Sequence, residues 1–334
     1  MGENERVSRQ LIDKFGRIVR KMRISVTDRC NFRCRYCMPA EDIPWIPREQ
    51  ILTFEEIERI TRIVSRFGVQ KIRLTGGEPM ARNGIEELVE RLKRIEGITN
   101  VSMTTNGYFL PERAQKLKQA GLDGLNISLD SLDRQRFAEL TRRDYFDQVI
   151  AGIEAAERAG FPIKINCVVM RGINHDEIAD FIRWGREKEI TVRFIEFMPL
   201  DGDNIWNREV VYTADEILND ARQVGEVVPV HNNPSDPARL YTFADGIGQF
   251  GIIASVSRPF CHACDRIRLT ADGKIRNCLF AVDEFDLRGL LRGNADDDQI
   301  ADAIAQAVWA KWAGHLINQQ QFVKPARNMY AIGG

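Results

Sequence analysis

The chain has 334 residues, 44% of them hydrophobic, with 47 Lys and Arg set against 48 Asp and Glu. That length buries a full core, as one large domain with an appendage or as two modest domains. The formal net charge of -1 excludes a protein that grips nucleic acid or an anionic membrane through bulk charge, and no apolar run approaches the length of a membrane span.

Taken from the start, the first twenty residues, headed by MGENERVSRQ, lack the apolar core of a signal peptide, which predicts a cytoplasmic protein. A first strand is predicted at MRISVT near residue 24. Directly after it stands TDRCNFRCRYCMP, with Cys30, Cys34 and Cys37. Spacings of three and two residues can bring three thiolates to one centre and offer no fourth. A cubane held this way keeps one iron open to substrate, whereas four protein thiolates leave it only electron transfer. Metal-free thiols, or half of a zinc site completed elsewhere, also fit, although zinc sites usually pair cysteines as C-x2-C. Six of the seven cysteines fall in two tight groups, which suits metal binding in a reducing compartment better than a disulfide framework. The seventh, Cys167 in IKINCVVM, reads as a buried core thiol.

Short β-rich segments then alternate with helical periodicity. Further strands are predicted at KIRLTG near 72, VSMTTN near 102, LNISLD near 127, IKINCVV near 165 and VRFIEFM near 194. One intervening helix opens with Thr53-Phe54-Glu55-Glu56, a capping box. Six βα units in series predict an α/β fold. Their parallel sheet, curled by right-handed crossovers, makes a partial (β/α)6 barrel of TIM type with functional groups at the carboxyl ends of its strands. TDRC, TGGEP, TTNG, SLD and FMP each follow or close a predicted strand. In Gly76-Gly77-Glu78-Pro79 the paired glycines let the backbone approach a ligand and the proline fixes the exit direction.

The alternation stops near residue 200. The segment from Pro229 to Arg239 reads as a polar connection, dividing a barrel core over 15–228 from a C-terminal region over 229–334 that closes the barrel mouth. Gly246, Gly248 and Gly251 match GxGxxG, but IIASVS follows where a dinucleotide fold needs a helix, and no GxxxxGK[ST] segment exists. Cys261, Cys264 and Cys278 form C-x2-C-x13-C. A structural zinc site completed by His262 or a distant ligand fits that spacing as well as a second cluster does. Arg266 and Arg268 follow, and their alternate spacing in an extended segment puts both guanidinium groups on one side. Arg23, Arg73, Lys164 and Arg193 lie inside predicted strands, where a buried positive charge is costly without an anionic partner. Together the six suggest a polyanion-binding cavity. A helix is predicted from about Ala295 to Leu316, with Asp296, Asp297 and Asp298 at its start and Ile300, Ile304, Val308 and Trp312 docked on the barrel. The chain ends Ile332-Gly333-Gly334, slim enough to enter a narrow cationic channel.

The CxxxCxxC run, with Tyr36 before its last cysteine and Met38-Pro39 after it, together with GGEP, resembles the signature of radical S-adenosylmethionine (SAM) enzymes. The resemblance implies a 4Fe-4S cluster on Cys30, Cys34 and Cys37, and a SAM site lined by Tyr36, Gly77, Ser128 and Met198. In such a chain a second three-cysteine group implies an auxiliary 4Fe-4S cluster, on Cys261, Cys264 and Cys278, in place of zinc. TDRCNFRCRYCMP, RLTGGEP, TTNG, NISLD, RFIEFMP, CHACDRIRL and the Ile332-Gly333-Gly334 tail are together similar to the radical SAM enzymes that cyclise GTP in molybdenum cofactor biosynthesis. The likeness runs from about residue 15 to the end.

What it implies is a radical derived from SAM that takes the 3' hydrogen of GTP, after which the ribose radical adds to guanine C8. The second cluster would hold the guanine. Matching GTP contacts fall at Arg23, Arg73, Thr104, Lys164, Arg266, Ile267 and Arg268. Arg193, added from its charge and position, joins Arg266 and Arg268 as a catalytic candidate. The expected partners are an electron donor and the next enzyme of the pathway, which receives the product. The protein itself would be a monomer or homodimer, with no nucleic acid and no membrane. A peptide-modifying radical SAM enzyme usually brings more cysteines, and an electron-transfer or zinc-stabilised binding protein leaves GGEP and the strand cations unexplained.

Overall fold

A computed structural model describes residues 10–333. Gly334 and all but the last residue of MGENERVSRQ lie outside them. The six predicted strands are β1 (Lys21–Ser25), β2 (Lys71–Thr75), β3 (Asn100–Thr105), β4 (Gly124–Ser128), β5 (Ile163–Val169) and β6 (Thr191–Glu196), paired in chain order and all parallel. The crossovers carry α1 (Phe54–Ser65), α2 (Ile85–Lys93), α3 (Leu110–Gln119), α4 (Arg134–Thr141), α5 (Phe146–Arg158) and α6 (Ile178–Glu187). In α1 the buried Ile57, Ile60, Ile63 and Val64 form one stripe against the sheet. Its capping box is present: Thr53 N–H donates to Glu56 Oε2 at 2.7 Å and Glu56 N–H to Thr53 Oγ1 at 3.2 Å.

The strands obey a period of two, and this organises the interior. Met22, Ile24, Ile72, Leu74, Val101, Met103, Ile127 and Phe194 are buried in the apolar core. The alternating positions carry Arg23, Arg73, Ser102, Asn126, Asn166 and Arg193 toward the barrel axis. A core of ordinary apolar packing thus surrounds a polar, cationic lumen.

After α7 (Ala214–Ala221) come β7 (Val227–Val230), β8 (Arg239–Phe243), β9 (Gln249–Ile253), β10 (Arg266–Leu269), β11 (Lys274–Arg276) and β12 (Phe285–Asp286), then α8 (Arg288–Arg292), α9 (Asp297–Trp309) and α10 (Met329–Ile332). These strands join both edges of the same sheet, whose order is β12-β11-β10-β1-β2-β3-β4-β5-β6-β9-β8-β7. β10 pairs parallel with β1 and β9 parallel with β6. The sheet stays open between them, a partial barrel. Residues 231–238 cross under the opening, where Lys21 Nζ lies 2.8 Å from Asp236 Oδ1 and Arg266 donates to the Ser235 carbonyl at 2.6 Å.

Two expectations need correction, those for Pro229 and for the C-terminal helix, and the discounting of GxGxxG holds. Pro229 lies in β7 and not in a loop, which is tolerated because β7 is the sheet's edge strand and a missing N–H there breaks no ladder. Gly246 and Gly248, with φ of 74° and 78°, turn β8 into β9, so a strand follows them. The helix expected to Leu316 ends at Trp309, and Trp312 is 38% exposed. The chain leaves the helical path there because Lys311 turns inward and is buried against Cys264 and Arg266. Among the described residues no helix is long and apolar enough to cross a membrane.

Candidate functional site

A cavity of about 280 Å³ occupies the lumen, and all six cysteines of the two groups line it. They do so from opposite ends. Cys30, Cys34 and Cys37 follow β1, at the carboxyl ends of the parallel strands. Cys264 precedes Arg266, which pairs with Lys21 at the start of β1, and Cys278 follows the antiparallel β11. The second group therefore sits at the amino ends, and the expectation that functional groups gather at the carboxyl ends holds only for the first. The direction of β10 decides this. At about 3.3 Å per residue, the length of β1 separates the two ends by on the order of 15 Å.

At the carboxyl end GGEP lines the cavity and also packs tightly on neighbouring backbone. A Cβ on Gly76 would lie 2.3 Å from the Thr27 carbonyl oxygen, and one on Gly77 2.3 Å from that of Arg29. The glycines let β2's exit pack on the run leading to Cys30, with Gly77 N–H donating to Thr27 O at 2.8 Å and Glu78 N–H to Arg29 O at 2.7 Å. The buried Glu78 carboxylate accepts from Thr105 Oγ1 at 2.8 Å and Asn106 N–H at 2.7 Å, which ties TTNG to GGEP. Burial outweighs those hydrogen bonds and pushes Glu78 up to about 7. Asn106 donates to Asn31 Oδ1 at 2.8 Å and stands 3.8 Å from Cys30 Sγ. Tyr36 donates to Asp130 Oδ2 at 2.7 Å, and burial raises Asp130 to about 6. Tyr36, Gly77, Ser128 and Met198 all line the cavity.

The cysteines fit clusters held by three thiolates. All seven are free. Burial raises Cys30 to about 12, and burial, Asp130 and the neighbouring sulfurs raise Cys34. Phe32 N–H already donates to Cys30 Sγ at 3.3 Å. In the second group burial raises Cys261 and Cys278, each also disfavoured by Cys264. Cys264 differs: burial pushes it up, but Arg266 and Lys311 together hold it down at about 7. Among the described residues no group of three or more His, Cys, Asp or Glu is arranged for a single metal ion. His262, one of the alternatives for a fourth zinc donor, is exposed and lines no part of the cavity. His315 does line it, with a buried Nδ1 that has no partner among the described residues; its distance along the chain from the cysteines hid it from any spacing argument.

Between the two ends lie the cations. The register sets Arg268, Arg23, Arg73 and Ser102 side by side on β10, β1, β2 and β3, and Asn166 beside Arg193 on β5 and β6. Arg23, Arg73, Arg193, Arg266 and Arg268 line the cavity with Thr104. Arg23 has no hydrogen-bond or ion-pair partner among the described residues. Arg73 meets Ser102 Oγ at 3.3 Å, and Arg193 is held by Asn126 and by Asn166 Oδ1 at 2.6 Å. The nearest carboxylate to any of the five is Asp265, 3.8 Å from Arg266. Burial, then mutual repulsion, holds Arg23 and Arg268 well below the ordinary value and Arg73 at about 9; burial alone brings Arg193 to about 10. Lys164 pairs with Asn126 in the sheet and is exposed at the rim, its pKa lowered by burial, Arg193 and Arg73. The Ile267 side chain is buried in the apolar core and is not available to a ligand, because its neighbours Arg266 and Arg268 take the lumen side.

The tail also enters this lumen. Arg268 donates to the Gly333 carbonyl, and a Cβ on Gly333, at φ 84°, would lie 2.8 Å from Thr75 Cγ2 and 3.0 Å from Ser25 Cβ. Upstream, Arg327 anchors it through Asp272 and Glu284, each at 2.8 Å.

Comparison with known proteins adds to this geometry. Residues 24–185 match the Radical SAM superfamily and residues 190–317 match Molybdenum Cofactor Synthesis C. GTP 3',8-cyclase of Rhodopirellula baltica is 48% identical over 330 residues, covering 97% of this chain and 92% of that protein. GTP 3',8-cyclase of Streptomyces coelicolor is 46% identical over 328 residues, covering 97% and 96%. Among solved structures, Streptococcus suis SuiB bound to S-adenosylmethionine superposes with a TM-score of 0.61 at 15% identity, over 94% of this chain and 78% of that one. At that identity the likeness is one of fold.

Proposed function

The chain belongs to the GTP 3',8-cyclase family of radical SAM enzymes, and on that premise we propose that it binds GTP in the lumen and joins ribose C3' to guanine C8. The product would be (8S)-3',8-cyclo-7,8-dihydroguanosine 5'-triphosphate, for molybdenum cofactor biosynthesis. The observation that carries this reading is the set of five guanidinium groups facing one cavity, Arg193 and Arg268 buried and the other three half-buried, with Asp265 the one carboxylate within ion-pair distance of any of them among the described residues. Such charge is tolerable only when a polyanion shares the space.

Cys30, Cys34 and Cys37 would hold one 4Fe-4S cluster, with Tyr36, Gly77, Ser128 and Met198 lining the SAM site beside it. Cys261, Cys264 and Cys278 would hold the other, beside the guanine. When bound, the first cluster and SAM would supply the radical chemistry that opens the C3'–H bond of GTP. The chain's own part is position and charge. Arg23, Arg73, Arg266, Arg268 and Lys164 neutralise the triphosphate. Arg193, braced by Asn126 and Asn166, keeps a fixed orientation toward substrate. The two cysteine ends hold the nucleotide between them, so that the sugar meets one and the base the other. An electron donor and a downstream enzyme complete the reading, in the cytoplasm.

Two measurements test it. Anaerobically reconstituted protein should contain about eight irons per chain as two cubanes. One zinc with about four irons would restore the structural-site reading of the second group. Arg23→Ala should weaken GTP binding by roughly 1.5 to 3 kcal/mol, the range for a charge-assisted phosphate contact. Arg23 is the cleanest probe, since Arg266 and Arg268 also hold Ser235 and Gly333. The exposed Arg94, paired with Glu90 at 3.5 Å, is the control. Equal losses at both positions would mean a global effect and no pocket.

A further inference from the structure

Two buried cations from distant parts of the chain tie down the second cysteine group. Arg17 donates to the carbonyls of Cys261 at 2.7 Å and Ala313 at 2.8 Å. Lys311, only 3% exposed, donates to the carbonyls of Cys264 at 3.1 Å and Arg266 at 2.9 Å. The C-x2-C turn is therefore held at each of its two cysteines. The two cations differ in how their charge is met. Arg17 pairs with Asp13 at 2.5 Å. Lys311 has no carboxylate partner among the described residues, and its third contact is Cys264 Sγ at 3.3 Å.

A buried ammonium without a counter-charge is costly, so the site is balanced only when that sulfur is a thiolate. The first cysteine group differs: among the described residues no lysine or arginine hydrogen-bonds a cysteine sulfur there, Arg33 reaches only the Cys30 carbonyl, at 2.7 Å, and the carboxylates Glu78 and Asp130 oppose ionisation of its thiols. We propose that Lys311 is the buried counter-charge of the second cluster, acting beside Arg266, which stands 3.6 Å from the same sulfur, and is a positioning residue that secures Cys264 as a ligand and makes that cluster easier to reduce. A positive charge at a ligating sulfur favours the reduced form because reduction adds negative charge to the group. The open iron that would meet the guanine is then set electronically by a residue that touches no substrate. The inference rests on Cys261, Cys264 and Cys278 holding a 4Fe-4S cluster.

The test compares full-length wild type, Lys311→Gln and Lys311→Arg, each reconstituted anaerobically, by iron content and by redox titration followed with electron paramagnetic resonance. The second cluster's signal is the one missing from Cys264→Ala. Gln keeps an N–H donor for the carbonyls and removes the charge, whereas Arg keeps both. The Gln variant should shift the second cluster to lower potential, with the first unmoved and the Arg variant close to wild type. Loss of about half the iron from the Gln variant alone carries the same conclusion. Wild-type potential and iron content in the Gln variant would overturn the proposal. So would equal iron loss from both variants, which would make Lys311 a matter of packing and not charge. Wild-type protein with only about four irons would instead overturn the cluster reading itself, before any Lys311 variant is compared.

Discussion

Replacing Cys30, Cys34 or Cys37 with Ala should abolish reductive cleavage of SAM, whereas replacing Cys261, Cys264 or Cys278 should abolish GTP cyclisation and leave part of the cleavage. The separation follows from the sheet. The first group hangs on the exit of β1 and is braced by GGEP and TTNG, while the second flanks β10 and β11 at the other end of the lumen. Losing a ligand at one end leaves the packing of the other untouched. The measurement is 5'-deoxyadenosine and cyclic product in one anaerobic reaction. Cyclisation that survives in both sets would sink both assignments. Circular dichroism and retained iron guard against misfolding, a modest risk because Ala replaces side chains that face a cavity more than they fill the core.

The parts of this molecule that were legible in its sequence are those set by local periodicity. KIRLTG alternates apolar and polar residues and VRFIEFM is an apolar run interrupted by Arg193 and Glu196, so both strands could be read from them, and the cost of a strand-buried charge marked Arg73 and Arg193. Thr53 and Glu56 announced a helix start through a three-residue relation. What escaped depends on how distant segments meet. Nothing in RIRL says that it lies parallel to β1, yet that direction puts the second cysteine group at the amino ends. The glycines of GGEP advertise a close approach without saying to what, and the answer is the backbone at Thr27 and Arg29. Periodicity carried α9 too far because the pull on Lys311 comes from Cys264, 47 residues away in the chain. Arg17 and His315 escaped for the same reason: each is an ordinary residue in its local context, and its importance lies in contacts with the second cysteine loop or in its place on the cavity wall.

Deleting Gly333 and Gly334 should lower cyclic product roughly tenfold or more while leaving SAM cleavage and iron content close to wild type. The loss expected is that of one charge-assisted hydrogen bond, about 1.5 to 3 kcal/mol, from Arg268 to the Gly333 carbonyl. Removing it frees a buried guanidinium to leave the row that Arg268 shares with Arg23 and Arg73. The tail is no frayed end, since Tyr330 and Ile332 are buried and Arg327 is fixed by two carboxylates. Nor can another residue take Gly333's place easily: at φ 84° a side chain is strained, and its Cβ would press on Thr75 and Ser25. Gly333→Val should therefore reproduce the truncation. Arg327→Ala should lower product in the same direction and by less, because it loosens the anchor without removing the contact. Neither change touches a cysteine ligand, so the first cluster's chemistry is spared. A truncated enzyme that cyclises GTP at the full-length rate would show that Arg268 keeps its place without the tail, and that the glycines are only where the chain stops.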